Sequence, residues 1–217
     1  MEYRIGIIDD EAGKVTQIKT RLVLGFASQE MAQRYEAVTF VPVEILLEHK
    51  IEDIVAKIFD EKIQGLIIDY KLSSLQAVDY SGVDVACRIM QYNENFPIFI
   101  LTAFEEDLYH HTIFSAYHIF DFDRYQTEAD ERDELHSKMV EQIKISQKMI
   151  DDWEKELLEL LPRKGEKASI DDRILELDSK LEHAMAAKYA IPEKIKKELN
   201  RSSLQCLLDK LDRILEA

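Results

Sequence analysis

Asp69 ends a short apolar run, Gly65-Leu-Ile-Ile68, and opens a polar loop. A run this short, bounded by polar residues, suits a strand buried on both faces of a parallel sheet. The carboxyl ends of such strands are where α/β sheets gather their ligands. A second run, Arg4-Ile-Gly-Ile-Ile8, leads into Asp9-Asp10-Glu11. If the two strands are parallel neighbours, Asp9, Asp10 and Asp69 converge at one edge. Carboxylates held that close repel and raise each other's pKa unless a cation neutralises them. Ligands that are all oxygen favour a hard divalent ion, and Mg2+ keeps positions open for phosphate oxygens. The plainer reading is that Asp9 or Asp10 caps the next helix and that Asp69 begins a turn, and one acid can do both. A third run, Phe96-Pro-Ile-Phe-Ile-Leu-Thr-Ala103, ends in a hydroxyl and a small residue.

With these residues in this order, the chain over roughly residues 1 to 126 resembles the receiver domain of two-component response regulators. The resemblance implies a CheY-like phosphoacceptor site. Asp69 would take a phosphoryl group from a histidine kinase or phosphotransfer protein, and the Thr102 hydroxyl, followed by Ala103, would hold a phosphoryl oxygen. Asp9, Asp10, Asp69 and the backbone carbonyl of Lys71 would bind Mg2+. Self-phosphorylation and self-dephosphorylation are the only chemistry it implies. One family feature is absent: receivers carry a Lys after strand five, and no Lys occurs between Tyr117 and Ser137. Arg124 is the cation near that place, with a planar fork where the family has a point charge. Phe120 or Phe122 would stand for the switch aromatic. The loop from Lys71 to Ser81 is longer than receivers usually have and reads as a lid, a docking surface or a tolerated insertion.

Two further readings compete. A pseudo-receiver scaffold, binding other proteins without phosphorylation, accounts for the missing Lys. A small Mg2+-dependent phosphohydrolase with Asp69 as nucleophile would need a second acid just after it, where Tyr70 and Lys71 stand.

The elements that must position these residues alternate. Val15, Ile18 and Leu22 predict a helix from Glu11 to Leu24, ended by Gly25 and a polar stretch to Arg34. Tyr35 to Val41 predicts a second strand, stopped by Pro42, with a helical region following to about Lys62. Gly82 to Asn93 and Glu105 to Ala116 read as helices, and Tyr117 to Phe122 as strand five. The expected fold is a doubly wound, five-stranded parallel sheet, flavodoxin-like, followed by an all-α extension over 127–217. In that extension Thr127 would cap a helix of about 34 residues, roughly 50 Å long. Its stripe is Leu135, Met139, Ile143, Ile150, Trp153, Leu157 and Leu161. Pro162-Arg-Lys-Gly165 breaks it. A heptad seam then runs through Ile170, Ile174, Leu177, Leu181 and Ala184, and Pro192 opens another helical segment. A coiled-coil homodimer through these helices, or a hairpin folded back within one chain, would cover the stripe. His183 reads as an ordinary half-exposed residue.

Composition limits the partners. The net charge is −15, with hydrophobic content of 46%, enough for a core. Residues 162–217 are near neutral, with 12 Lys+Arg against 11 Asp+Glu, so the excess acid lies before them. That acidity argues against general nucleic-acid binding, and no basic recognition helix supports DNA readout. Cys87 and Cys206 are too few and too unlike in context for a disulfide framework or metal site. No signal peptide or membrane-length apolar run is visible, so a cytoplasmic protein is expected.

Overall fold

The computed structural model describes residues 1–72, 78–103, 118–186, 190–191 and 194–198. The helix expected over 105–116, the middle of the 71–81 loop, Cys206 and most of the segment expected after Pro192 lie outside them. The chain divides into two compact units, Met1–Lys148 and Met149–Ala217.

In the first unit, β1 (Glu2–Ile8), β2 (Thr39–Glu44), β3 (Gly65–Ile68), β4 (Ile98–Thr102) and β5 (Ile119–Asp121) form one sheet in the order β2-β1-β3-β4-β5. All four pairings are parallel. This is the doubly wound order that the alternating elements imply, and it reverses between β1 and β3. Every residue of β3 and β4 is buried, as unbroken apolar runs require. Helix α1 (Ala12–Leu24) buries Val15, Ile18 and Leu22. Helix α3 (Ile51–Asp60) buries Ile54, Val55 and Ile58. Helix α4 (Gly82–Tyr92) buries Val83, Val85, Ala86 and Ile89, with a capping box between Ser81 and Asp84 at its start.

Three local expectations are corrected. The second strand does not stop at Pro42 but runs through it to Glu44, with Pro42 opposite Ile5. As β2 is the sheet edge, a residue without an N–H costs no ladder bond on its open side. Tyr35 precedes the strand and ends a short helix α2 (Gln29–Arg34), which Ser28 caps by accepting from the Met31 amide. Phe122 belongs to no strand: it starts helix α5 (Phe122–Thr127), for which Asp121 is the cap. Thr127 therefore closes that turn, its hydroxyl donating to the Asp123 carbonyl, and is no cap for the helix beyond.

That helix, α6 (Ala129–Leu160), has 32 residues. Its Leu135, Met139, Val140 and Ile143 share a core with α1 residues and with Ile5, Ile7, Phe99 and Leu101 of the sheet. The α/β fold thus uses the first part of the stripe as its own closing helix.

In the second unit, α6 ends in a 3-10 turn, Leu161–Arg163, with Pro162 inside it and Gly165 at φ 89° just beyond. A left-handed residue at that point reverses the chain, and glycine adopts it without strain. Helix α7 (Ala168–Ala186) follows and buries Ile170, Ile174 and Leu177 of the expected seam. Arg173 holds both carboxylate oxygens of Glu156 at 2.7 Å, and Lys180 lies 5.6 Å from the centre of the Trp153 ring. These pairings make the end of α6 and α7 an antiparallel hairpin. Among the described residues, no helix is long and apolar enough to cross a membrane.

Candidate metal and phosphoryl centre

Parallel register sets Ile8 beside Ile68, so Asp9 and Asp69 leave neighbouring strand ends where the strand order reverses. The Asp69 amide donates to the Ile8 carbonyl at 2.9 Å, fastening the two ends together. On the other side, α4 begins hard against Asp69. A Cβ built on Gly82 would stand 2.0 Å from the Asp69 carbonyl oxygen. Glycine at that position is what allows helix and strand end to meet.

Asp9, Asp10 and Asp69 each offer a carboxylate oxygen, and these three atoms lie within 4.8 Å of one another. Asp10 and Asp69 are buried and Asp9 partly so. Burial, offset by the Glu11 amide and reinforced by Asp69, pushes the Asp9 carboxyl up to about 7. The expected helix cap is corrected: Glu11, not Asp9 or Asp10, stands at the N-cap of α1 and no side chain caps it, while Asp9 Oδ1 accepts from the Glu11 amide at 2.7 Å just before the helix. Asp69 is also raised by burial, against which the Thr102 hydroxyl, the Lys14 ammonium and the Tyr70 amide favour its ionised form. Among the described residues its buried Oδ1 meets no hydrogen-bond partner. Crowded acids that are costly to ionise, with a buried oxygen lacking a donor, fit a hard divalent cation.

The end of β4, the neighbour of β3, brings Thr102 to Asp69, as the resemblance implies. Lys71, whose carbonyl the resemblance assigns to the metal, begins the loop two residues after Asp69. Phe120 and Phe122 are both buried. Arg124 pairs with Glu128 at 3.3 Å and with buried Glu131 at 2.7 Å.

The described cation in contact with Asp69 is one that sequence reasoning missed. Lys14 Nζ lies 2.7 Å from Glu11 and 3.5 Å from Asp69 Oδ2, its side chain only 15% exposed. It also lies 5.6 Å from the centre of the Phe122 ring. Burial lowers the Lys14 pKa, but Glu11, Asp69 and Asp9 outweigh this and leave it raised. One signal was available. Lys14 stands in the first turn of α1, where the helix dipole disfavours a cation, so some acid must hold it there.

His183, expected to be an ordinary half-exposed residue, sits half-buried on α7 with Nδ1 at 2.6 Å from the Ser179 carbonyl.

No family model matches the chain. No curated protein matches it either. Among solved structures it is similar to the anti-anti-sigma factor PhyR from Bartonella quintana, at TM-score 0.45 and 17% identity, over 69% of this chain and 51% of that one. It is also similar to the response regulator PhyR from Brucella abortus, at TM-score 0.45 and 20% identity, over 68% and 51%. The chain spans about half the length of each. Likeness at this level concerns the chain trace alone.

Proposed function

We propose that the first unit is a phosphoacceptor receiver and that its signal leaves through helical protein contacts. The observation that carries this is the environment of Asp69: a buried carboxylate at a strand end, 3.5 Å from an ammonium and within 4.8 Å of two further acids. An Asp69 oxygen attacks phosphorus, the bond from phosphorus to the donor's oxygen or nitrogen breaks, and the donor leaves with that electron pair. Asp9, Asp10, Asp69 and the Lys71 carbonyl would hold a divalent cation, which would neutralise charge on the phosphoryl oxygens. Thr102, freed from the Asp69 carboxylate, donates its hydroxyl to a phosphoryl oxygen. The donor in a cell would be a histidine kinase or phosphotransfer protein.

Intact mass after incubation with acetyl phosphate and Mg2+ tests this. The chain should gain one phosphoryl unit, and Asp69→Asn should gain none. A wild-type chain that gains nothing is instead a pseudo-receiver scaffold.

Self-association through the C-terminal helices belongs to the same reading. The α/β core uses Leu135, Met139 and Ile143, so the surface left for a second copy lies beyond them. Leu161 of the stripe is 44% exposed and Leu158, near it in sequence but off the stripe, is 62% exposed, apolar surface that a second copy would cover. Light scattering at micromolar concentration should give twice the chain mass. A monomer there would mean that the hairpin satisfies the stripe alone.

A further inference from the structure

We propose that Lys14 is the phosphoryl-contacting cation of this site, supplied by the first helix, and that it exchanges the Asp69 carboxylate for a phosphoryl oxygen on phosphorylation. The inference rests on the phosphoacceptor reading and adds a residue to it. Three contacts from three elements fix the ammonium: Glu11 before α1 at 2.7 Å, Asp69 after β3 at 3.5 Å, and the Phe122 ring at the start of α5 at 5.6 Å. Its stem is mostly withdrawn from water. Withdrawing an ammonium costs free energy unless acids offset it, and here two do.

The two acids are unequal. Glu11 is close and 42% exposed, whereas Asp69 is longer by 0.8 Å and its side chain is 2% exposed. The long contact is the one that phosphorylation changes. Asp69 carries one negative charge as a carboxylate and about two as an acyl phosphate. The added oxygens extend outward from Oδ, toward a cation already within reach. No bond to Lys14 forms or breaks; it changes partner only.

In the unmodified protein the same ammonium competes with a divalent cation for Asp69. Removing it should therefore act in opposite directions on two ligands, which a merely structural role would not do.

The probes are Mg2+ alone and beryllofluoride with Mg2+, each followed by calorimetric titration. Lys14→Met keeps the stem against Phe122 and removes the charge. Lys19→Gln, a charge removed from the same helix beside Glu44, is the control. Lys14→Met should bind beryllofluoride about tenfold more weakly or worse, the loss expected for one charge-assisted hydrogen bond. Its Mg2+ affinity should stay level or rise, and Lys19→Gln should match wild type in both. Equal beryllofluoride affinity in Lys14→Met and wild type overturns the assignment. So does loss of both ligands together, since Lys14 would then only hold the cluster in shape. A wild-type chain that binds beryllofluoride with the expected Lys14 dependence yet gains no phosphoryl mass removes the phosphoacceptor reading and leaves the contact standing. A wild-type chain that binds no beryllofluoride overturns both.

Discussion

Replacing Gly82 with alanine should destabilise the first unit by about 3 kcal/mol, although alanine is the better helix former. Propensity alone would favour alanine in a helix by up to about 1 kcal/mol. The packing term is larger and of opposite sign. The added Cβ would meet the Asp69 carbonyl oxygen at 2.0 Å, its carbon at 3.0 Å and Ile68 at 3.0 Å. Two of those atoms are backbone at the end of β3, and they cannot rotate aside. Either α4 lifts away, breaking the 3.0 Å bond from the Gly82 amide to the Tyr70 carbonyl, or the strand end moves. Both shift Asp69, so Mg2+ binding should weaken along with the urea midpoint followed by circular dichroism. Gly13→Ala is the matched control, for nothing lies within 4 Å of its Cβ. There the midpoint should hold or rise. Equal midpoints for Gly82→Ala and wild type would mean that the helix start yields freely, and the account of Gly82 would fail.

The acids of the site were legible because each follows an apolar run, and parallel strands of one sheet end on one edge. Asp9, Asp10, Asp69 and Thr102 needed only that rule and the strand order to be placed together. Lys14 needed more. It stands on a helix whose sequence pattern reports only the buried Val15, Ile18 and Leu22, and a lysine off that stripe reads as solvated. Its four-carbon stem carries the charge back past Glu11 to the sheet edge, a reach that periodicity does not encode.

The sheet order was legible for the same reason, while the chain between strands was less so. Pro42 read as a stop because a proline inside a central strand costs a ladder bond; only the strand order reveals that β2 is an edge. The start of α6 shows the converse limit. Its apolar stripe was readable, but Glu131, Asp133 and His136 are buried on the same helix. Asp133 accepts from the Ala27 and Ser28 amides at 2.6 and 2.9 Å, tying the loop after α1 to α6. A charged residue taken into the core to satisfy loop amides leaves no mark in hydrophobic spacing.

His136 carries the last expectation, a loss of about 2–3 kcal/mol of stability between pH 6.5 and 4.5. Its ring is fully buried, with Nε2 at 3.1 Å from the Tyr125 hydroxyl and the rings of Phe26 and Phe40 at 5.7 and 5.0 Å. Burial lowers its pKa to about 4; Asp133 and the Gly25 backbone oppose this and Arg132 adds to it. The folded pKa is thus below the unfolded value of about 6.5. Such a group contributes stability that is complete above 6.5 and lost as pH falls toward 4, because the unfolded chain takes the proton first. Asp9 acts with the opposite sign. Raised to about 7, it contributes stability that is present in acid and lost as pH rises through 7, and Asp69 is shifted the same way. The two effects overlap in the same window, so wild type alone would show a shallow profile. With Asp9→Asn and Asp69→Asn in place, the His136 fall should emerge in full between urea midpoints at pH 6.5 and 4.5. Adding His136→Gln, which keeps a hydrogen-bonding group for the Tyr125 hydroxyl but cannot titrate, should flatten the profile. A slope unchanged by His136→Gln would show that the ring is already charged in the fold, or reaches water, and that the buried neutral imidazole is wrong.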